Sequence, residues 1–318
     1  MQLQTPVENP RYPFRLTPSS RVVVTGSCFA EHMGERLRRT LPPEQVAVNP
    51  FGVVYNPMSI ATGLRWLMSD RPFDDTMFFE GRTGVWHSRL HSGAFSGATE
   101  AECREKVCAA RATASRLLET AELLIVTWGT SRAYRLKTDG RIVANCHKEA
   151  AADFEECDPS LDALCDDWRT LINELHDFNP RLHLLFTVSP YRYAKYGLHA
   201  SQVAKAKLLL LADELCGSRT QTHYFPSYEI VMDELRDYRF YKPDMFHPSE
   251  QTVDYIARRF GECCFDVSLH EFSAERATLL RDLSHRPLHP DSAAHRHFAE
   301  NLERRMQVFL EKWGVSVN

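Results

Sequence analysis

The stretch that most constrains this chain is VVVTGSCFAEHMGERL, from Val22 to Leu37. A short β-branched run at residues 21–25 reads as a buried strand closed by a glycine. An amphipathic helical pattern over residues 30–39 follows almost without a linker. A strand that feeds straight into a helix begins a βαβ unit, and such units need parallel neighbours covered on both faces. The rest of the sequence supplies them. Further strands are expected at residues 45–48, 123–127, 182–188 and 223–225, and helices at 58–68, 98–121, 161–178, 201–216 and 249–260. That alternation predicts an α/β domain built on a central parallel sheet. Residues 77–93 read as a hairpin or an irregular excursion. Residues 133–136 and 141–144 flank Asp139-Gly140, a hairpin signal. The tail at residues 272–313 holds two helical patterns, joined by 285–292, and no strand. Domains are therefore expected at 1–265 and 266–318, the second a helical appendage.

Bulk properties narrow the function. The net charge of −4 gives no electrostatic reason to expect nucleic acid or an anionic membrane as partner. There is no apolar run of ~20 residues for a membrane span. The first residues lack a basic segment followed by an apolar core, so a cytosolic location is expected. The nine cysteines are odd in number and form no CxxC pair. They are expected to be reduced thiols, with neither a disulfide framework nor a metal site.

In open α/β sheets, sites form at the carboxyl ends of the strands. The marked strand ends are Gly26-Ser27-Cys28, Asn49-Pro50-Phe51-Gly52, Gly129-Thr130-Ser131 and Ser189-Pro190, with Asp244-Met245-Phe246-His247 before the last helix of the sheet domain. A serine hydroxyl needs a base to take its proton, and a histidine held by a carboxylate serves near neutral pH. Asp244 and His247 have the spacing for a carboxylate beside its own imidazole. Ser27 lies between strand and helix, where its N–H and those of the first helical turn can face an oxyanion. Cys28 is the rival nucleophile, since a thiol at a helix N-terminus can be activated. The residue after a turn serine is expected to point toward the core, which favours Ser27.

Gly26-Ser27-Cys28-Phe29-Ala30 spells the motif of the GSCFA domain family, which this chain resembles. NPFGVVYNP (49–57), TWGTS (127–131), NCHK (145–148), TVSP (187–190), FPSYEIVMDELRDYRFY (225–241) and DMFHPS (244–249) look like that family's other blocks. The family is similar to the SGNH/GDSL hydrolases. The resemblance implies a flavodoxin-like three-layer α/β/α fold and a serine esterase that cleaves an acyl, such as acetyl, ester of a small molecule or carbohydrate without a cofactor. It implies Ser27 as nucleophile, His247 as base and Asp244 as its orienting acid. The Ser27 and Gly52 amides would be oxyanion donors, and Ser131 stands where the superfamily has an asparagine. Asn49, Asn56 and Asn145 could each substitute for that amide. An acyltransferase using the same triad, and a ligand-binding module on the same fold, are the alternatives.

Other groups have weaker claims. His147 and Lys148, with Asn145, could contact a substrate. So could His87, which lies with Ser88, Arg89 and His91 in a glycine-flanked excursion. Asp233, Glu234, Arg236, Asp237 and Arg239 are expected to form an ion-pair network that pins the loop carrying His247. Tyr228 and Tyr238 are expected to pack, and His285, His289 and His295 to lie on the surface.

Overall fold

The computed structural model describes residues 4–71, 74–217, 220–286, 288 and 292–317. The first half runs β1 (Val22–Gly26), α1 (Cys28–Thr40), β2 (Val46–Val48), α2 (Pro57–Met68), β3 (Phe78–Glu80), β4 (Trp86–Ser88), α3 (Glu100–Thr120), β5 (Leu123–Trp128), β6 (Ala133–Leu136), β7 (Ile142–Val143) and β8 (Phe154–Cys157). The second half runs α4 (Leu161–Phe178), β9 (His183–Val188), α5 (Gly197–Cys216), β10 (Thr222–Tyr224), the short α6 (Ser227–Glu229), α7 (Glu250–Cys264), α8 (Val267–Leu283) and α9 (Ala293–Trp313).

Five strands form one parallel sheet in the order β10-β9-β5-β1-β2. Taken in chain order, that is the flavodoxin-like arrangement, with its switch point between β1 and β5. The alternation of side chains along each strand divides the interior into two cores. Val23, Leu124 and Phe186 face α2, α3, α4 and α5. Val22, Val24, Ile125 and Leu185 face α1, α7, α8 and α9. The fold is thus the expected three-layer α/β/α sandwich around a parallel sheet, with helices at its C-terminal end.

Local structure differs from expectation in three places. The hairpin at 133–144 is part of a three-stranded antiparallel sheet, because β8 also pairs with β6. The sequence of β8, FEEC, is too polar to show as a strand. Helix α8 starts at Val267, capped by Asp266, whose side chain accepts from the Leu269 N–H. Helix α1 starts at Cys28, ahead of the apolar pattern.

At the switch point, Gly26 has φ 137°, and a Cβ added there would lie 2.1 Å from the Thr127 carbonyl oxygen. Only glycine lets the end of β1 lie so close to β5. At the far end of α1, Arg276 of α8 is 3% exposed. It donates to the carbonyls of Arg38, Arg39 and Leu41 and to that of Val317. A guanidinium on the last carbonyls satisfies acceptors that a helix end leaves unpaired. His289 lies outside the described residues.

Candidate functional site

The turn at the end of β1 holds two side chains in opposite settings. Ser27 has an extended backbone (φ −68°, ψ 175°). Its N–H donates to the Thr127 carbonyl at 3.1 Å, so it still runs as part of the strand. Its side chain is fully buried, and among the described residues the hydroxyl has no hydrogen-bond partner, not even as a helix cap. Cys28, the first helical residue, is partly exposed. Ser27 is thus the buried side chain and Cys28 the partly exposed one, the reverse of the expectation, with β1 ending at Gly26 and α1 beginning at Cys28. Burial raises the Cys28 thiol above its ordinary value. The Phe29 N–H, the charge of Lys205 and the N–H of Cys28 itself act the other way. These amides belong to the unpaired first turn of α1.

Asp244 and His247 meet as their spacing suggested. Asp244 Oδ2 lies 2.5 Å from His247 Nδ1, while Oδ1 accepts from the N–H groups of Phe246 at 2.8 Å and His247 at 2.9 Å. These two amides, His247 first, and then the imidazole, hold the Asp244 carboxyl down to about 2. Met245 bridges the turn at φ 62°. The His247 carbonyl accepts from the Lys242 N–H. Lys242 pairs with Glu250, which pairs in turn with Arg36 on α1. The loop bearing His247 is thereby tied to the helix bearing Cys28. The Tyr191 ring lies 4.2 Å from that of His247, and the Tyr191 phenol feels the charges of both Cys28 and Asp244. Among the described residues, no hydrogen bond joins His247 to Ser27 or Cys28.

The three expected oxyanion donors are already engaged. The Ser27 N–H is paired with Thr127, and the Gly52 N–H donates to the Asn49 carbonyl at 2.7 Å. The Ser131 hydroxyl donates to Asp158 Oδ1 at 2.8 Å. They are used, in that order, by the neighbouring strand, the local turn and a carboxylate. The proposed substitutes divide. Asn56 caps α2 through the Ser59 N–H, and Asn145 accepts from the His147 N–H at 2.7 Å. Asn49 Oδ1 accepts from Gly26 N at 2.9 Å, while its buried Nδ2 has no partner.

The GSCFA family model matches residues 21–260, three quarters of the chain. The chain belongs to the GSCFA family. A second model, the GSCFA domain protein C-terminal domain, matches residues 277–318. No curated protein matches. Among solved structures, a family two carbohydrate esterase from Clostridium thermocellum in complex with cellohexaose matches at 13% identity with a TM-score of 0.25. That match covers 51% of this chain and 37% of the other, so the GSCFA chain spans little more than a third of that structure's length.

The remaining candidates of the GSCFA chain gather elsewhere. His87, Asn145, His147 and Lys148 line a cleft of about 860 Å³ whose walls include none of Ser27, Cys28, Asp244 or His247. The His87 and His147 rings stack at 4.4 Å, and His147 Nε2 is bonded to the Ser88 carbonyl at 2.8 Å. Burial lowers His147 to about 4. His147 and Lys148 both have positive φ, at 51° and 59°.

The expected charge network does not form among the described residues, where Asp237–Arg239 is the one ion pair inside the cluster. Glu234 pairs with Arg259 of α7 at 2.6 Å and accepts from the Val7 N–H and the Tyr255 hydroxyl. It therefore holds the N-terminal strap to α7. Asp237 pairs only locally, with Arg239. Tyr228 bonds Gln202, whereas Tyr238 is 60% exposed and does not pack as expected.

Three residues near Cys28 escaped the sequence reading: Tyr55, Tyr191 and Lys205. Lys205 had a visible signal. It falls on the stripe Ser201, Ala204, Lys205, Leu208, Leu211, Ala212 and Leu215, which α5 buries. A lysine on an apolar stripe is a buried cation in the making. Among the described residues there is no group of three or more His, Cys, Asp or Glu that could hold a metal ion, and no helix long and apolar enough to cross a membrane.

Proposed function

We propose that this GSCFA protein is an acyl-transfer enzyme that hydrolyses an ester through a covalent acyl-enzyme. Cys28 is the nucleophile, His247 the acid and base, and Asp244 the orienting carboxylate. The observation that carries this reading is the Asp244–His247 pair, whose imidazole lies against Tyr191, together with a partly exposed thiol at a helix N-terminus whose charge the Tyr191 phenol feels. A carboxylate on Nδ1 fixes the tautomer and leaves Nε2 free to take a proton.

In the first half-reaction, the Cys28 proton passes to His247 Nε2 and Sγ bonds to the acyl carbon. In the tetrahedral intermediate the Cys28 and Phe29 amides, which approach the thiol at rest, turn to the oxyanion in place of the engaged donors. The alkoxide then leaves with the proton held by His247, and the acyl group remains as a thioester. In the second, water attacks the thioester carbon and gives its proton to His247, and the carboxylic acid departs as Cys28 recovers its proton. An alcohol in place of water would make the same site an acyltransferase. The Tyr193 ring contacts those of Tyr55, Tyr191 and Tyr196, with centroids 5.0–6.3 Å apart. Such a surface suits a small-molecule or carbohydrate ester with a flat apolar face. The nine unpaired cysteines fit a reducing, cytosolic setting.

A second reading keeps Ser27 as nucleophile. The specific observation in its favour is the Ser27 hydroxyl, which is buried without a partner beside the same turn. Hydrolysis of short p-nitrophenyl esters by wild type, Cys28→Ala, Ser27→Ala and His247→Ala separates the two. Loss in Cys28→Ala and His247→Ala with retention in Ser27→Ala supports the thiol. Loss in Ser27→Ala, with fluorophosphonate labelling of wild type, supports the serine. An inactive wild type that fluorophosphonate does not label at Ser27 and iodoacetamide does not label at Cys28 points to a binding module instead.

A further inference from the structure

Next to the loop of His247 lies a small cavity that the mechanism above leaves unused. It holds about 150 Å³, and every lining residue except Arg192 comes from the block at 225–241. A site for a whole small molecule usually takes ~300–1,000 Å³, so this one suits a single group of a ligand. Val231 and Met232 reach it from a wide π-type turn at Ile230–Glu234, an irregularity that often marks functional positions. Tyr238 and Tyr241, with ring centroids 6.0 Å apart, wall it, which gives the exposed Tyr238 a place. Its free charge is of one sign. Arg192 and Arg236 line it, and among the described residues neither guanidinium meets a carboxylate. Arg192 Nη1 makes one long hydrogen bond, 3.4 Å, to the Tyr238 hydroxyl. The acid in the lining, Asp237, is already engaged. Its Oδ1 accepts from the Arg239 N–H and its Oδ2 from the Arg239 guanidinium.

Backbone hydrogen bonds tie the cavity to the dyad. The Arg192 N–H donates to the Phe246 carbonyl at 3.2 Å, and the Lys242 N–H donates to the His247 carbonyl at 2.7 Å. Residues 191–192 and 241–242 therefore bracket the loop of His247. The same two segments supply Arg192 and Tyr241 to the cavity. Tyr191, whose ring lies on His247, is the chain neighbour of Arg192.

We propose that this cavity is a specificity subsite for an anionic group, a carboxylate or a phosphate, on the ester that the neighbouring site cleaves. This rests on the reading of the Asp244–His247 pair as catalytic. Two guanidinium forks match the oxygens of either group, and the Tyr238 hydroxyl adds a neutral donor beside them. The ester lies toward His247 and the anion toward Arg192. No bond to the anion is made or broken, so its contribution is to binding and selection.

The test compares esters of the full chain's choice that differ in one charge. 4-Acetoxybenzoate and 4-acetoxyphenyl phosphate, set against methyl 4-acetoxybenzoate, place the anion on the leaving alcohol. Mono-4-nitrophenyl glutarate, set against its methyl ester, places it on the acyl group. In at least one comparison, wild type should cleave the anionic ester with a kcat/KM about tenfold or more above the neutral one, chiefly through KM. That ratio should fall by about tenfold in Arg192→Gln and in Arg236→Gln, and should shrink as salt is added. Ratios near one throughout, or ratios that survive both substitutions, overturn the proposal. Arg236 is exposed, so its substitution leaves the core intact. Calorimetric titration with phenyl phosphate and with benzoate needs no turnover, and the tighter of the two tells phosphate from carboxylate. If no ester is cleaved, this measurement decides. Binding of either probe that weakens about tenfold in Arg236→Gln then removes the enzyme reading and keeps the anion site, whereas binding of neither overturns it. Esterase activity that depends on His247, with ratios near one and no binding of either probe, keeps the enzyme reading and removes this one.

Discussion

His247 and His147 lie on loops of one molecule, and the contrast between them shows what prepares an imidazole for chemistry. His247 has a carboxylate on Nδ1 and an Nε2 that no protein group occupies among the described residues. It is partly exposed. His147 has its Nε2 bound to the Ser88 carbonyl and is stacked on His87. It is held neutral by burial at about 4. The first is oriented with a free nitrogen, and the second is a structural post.

The sharpest way to break that comparison is at its nucleophile. Cys28→Ala should lower ester hydrolysis by at least ~10³-fold, while Ser27→Ala stays within about tenfold of wild type in the same assay. Next is the carboxylate. Asp244→Asn should lower kcat by roughly 10²–10⁴-fold with little change in KM, since the amide no longer stabilises the imidazolium. A kcat near wild type would put His247 on the same footing as His147.

The post should behave oppositely. His147→Gln should leave kcat within about threefold of wild type, yet change stability against pH. The folded value of His147 lies below its ordinary one, so the unfolded chain binds the proton first on acidification. Stability is then lost as pH falls from about 6.5 toward about 4, with a slope approaching 1.4 kcal/mol per pH unit. Urea titrations of the variant should show a shallower loss over that window. The smallest effect is expected at a site that only caps a helix. Asn56→Ala should cost about 1 kcal/mol of stability and spare the chemistry.

The sequence revealed the dyad because a three-residue turn brings an aspartate to its own histidine whatever the rest of the chain does. The β1–α1 turn was legible for a similar reason, since an apolar run closed by glycine can hardly be anything else. The side to which Ser27 and Cys28 point was not. It depends on whether the strand or the helix claims Ser27, and pairing with Thr127, a hundred residues away, decides that. The oxyanion donors misled for the same reason, because a free amide is a property of the folded neighbourhood. Tyr191 comes from a loop with no periodicity to place it. Lys205, by contrast, stood on a readable stripe and was passed over because its neighbours were apolar.

Arg276 gives the tail a consequence in time. The helix that carries Cys28 leaves the ribosome well before α8 does. The guanidinium that caps its last carbonyls is made more than two hundred residues later. Until then, the far end of α1 has no such cap, and the core facing it lacks Phe272, Leu279, Leu302 and Phe309. Domains are completed as synthesis proceeds. For this chain, α1 is secured only once α8 has been made, so a product stalled or clipped before Arg276 would carry the β1–α1 turn on an unsecured helix.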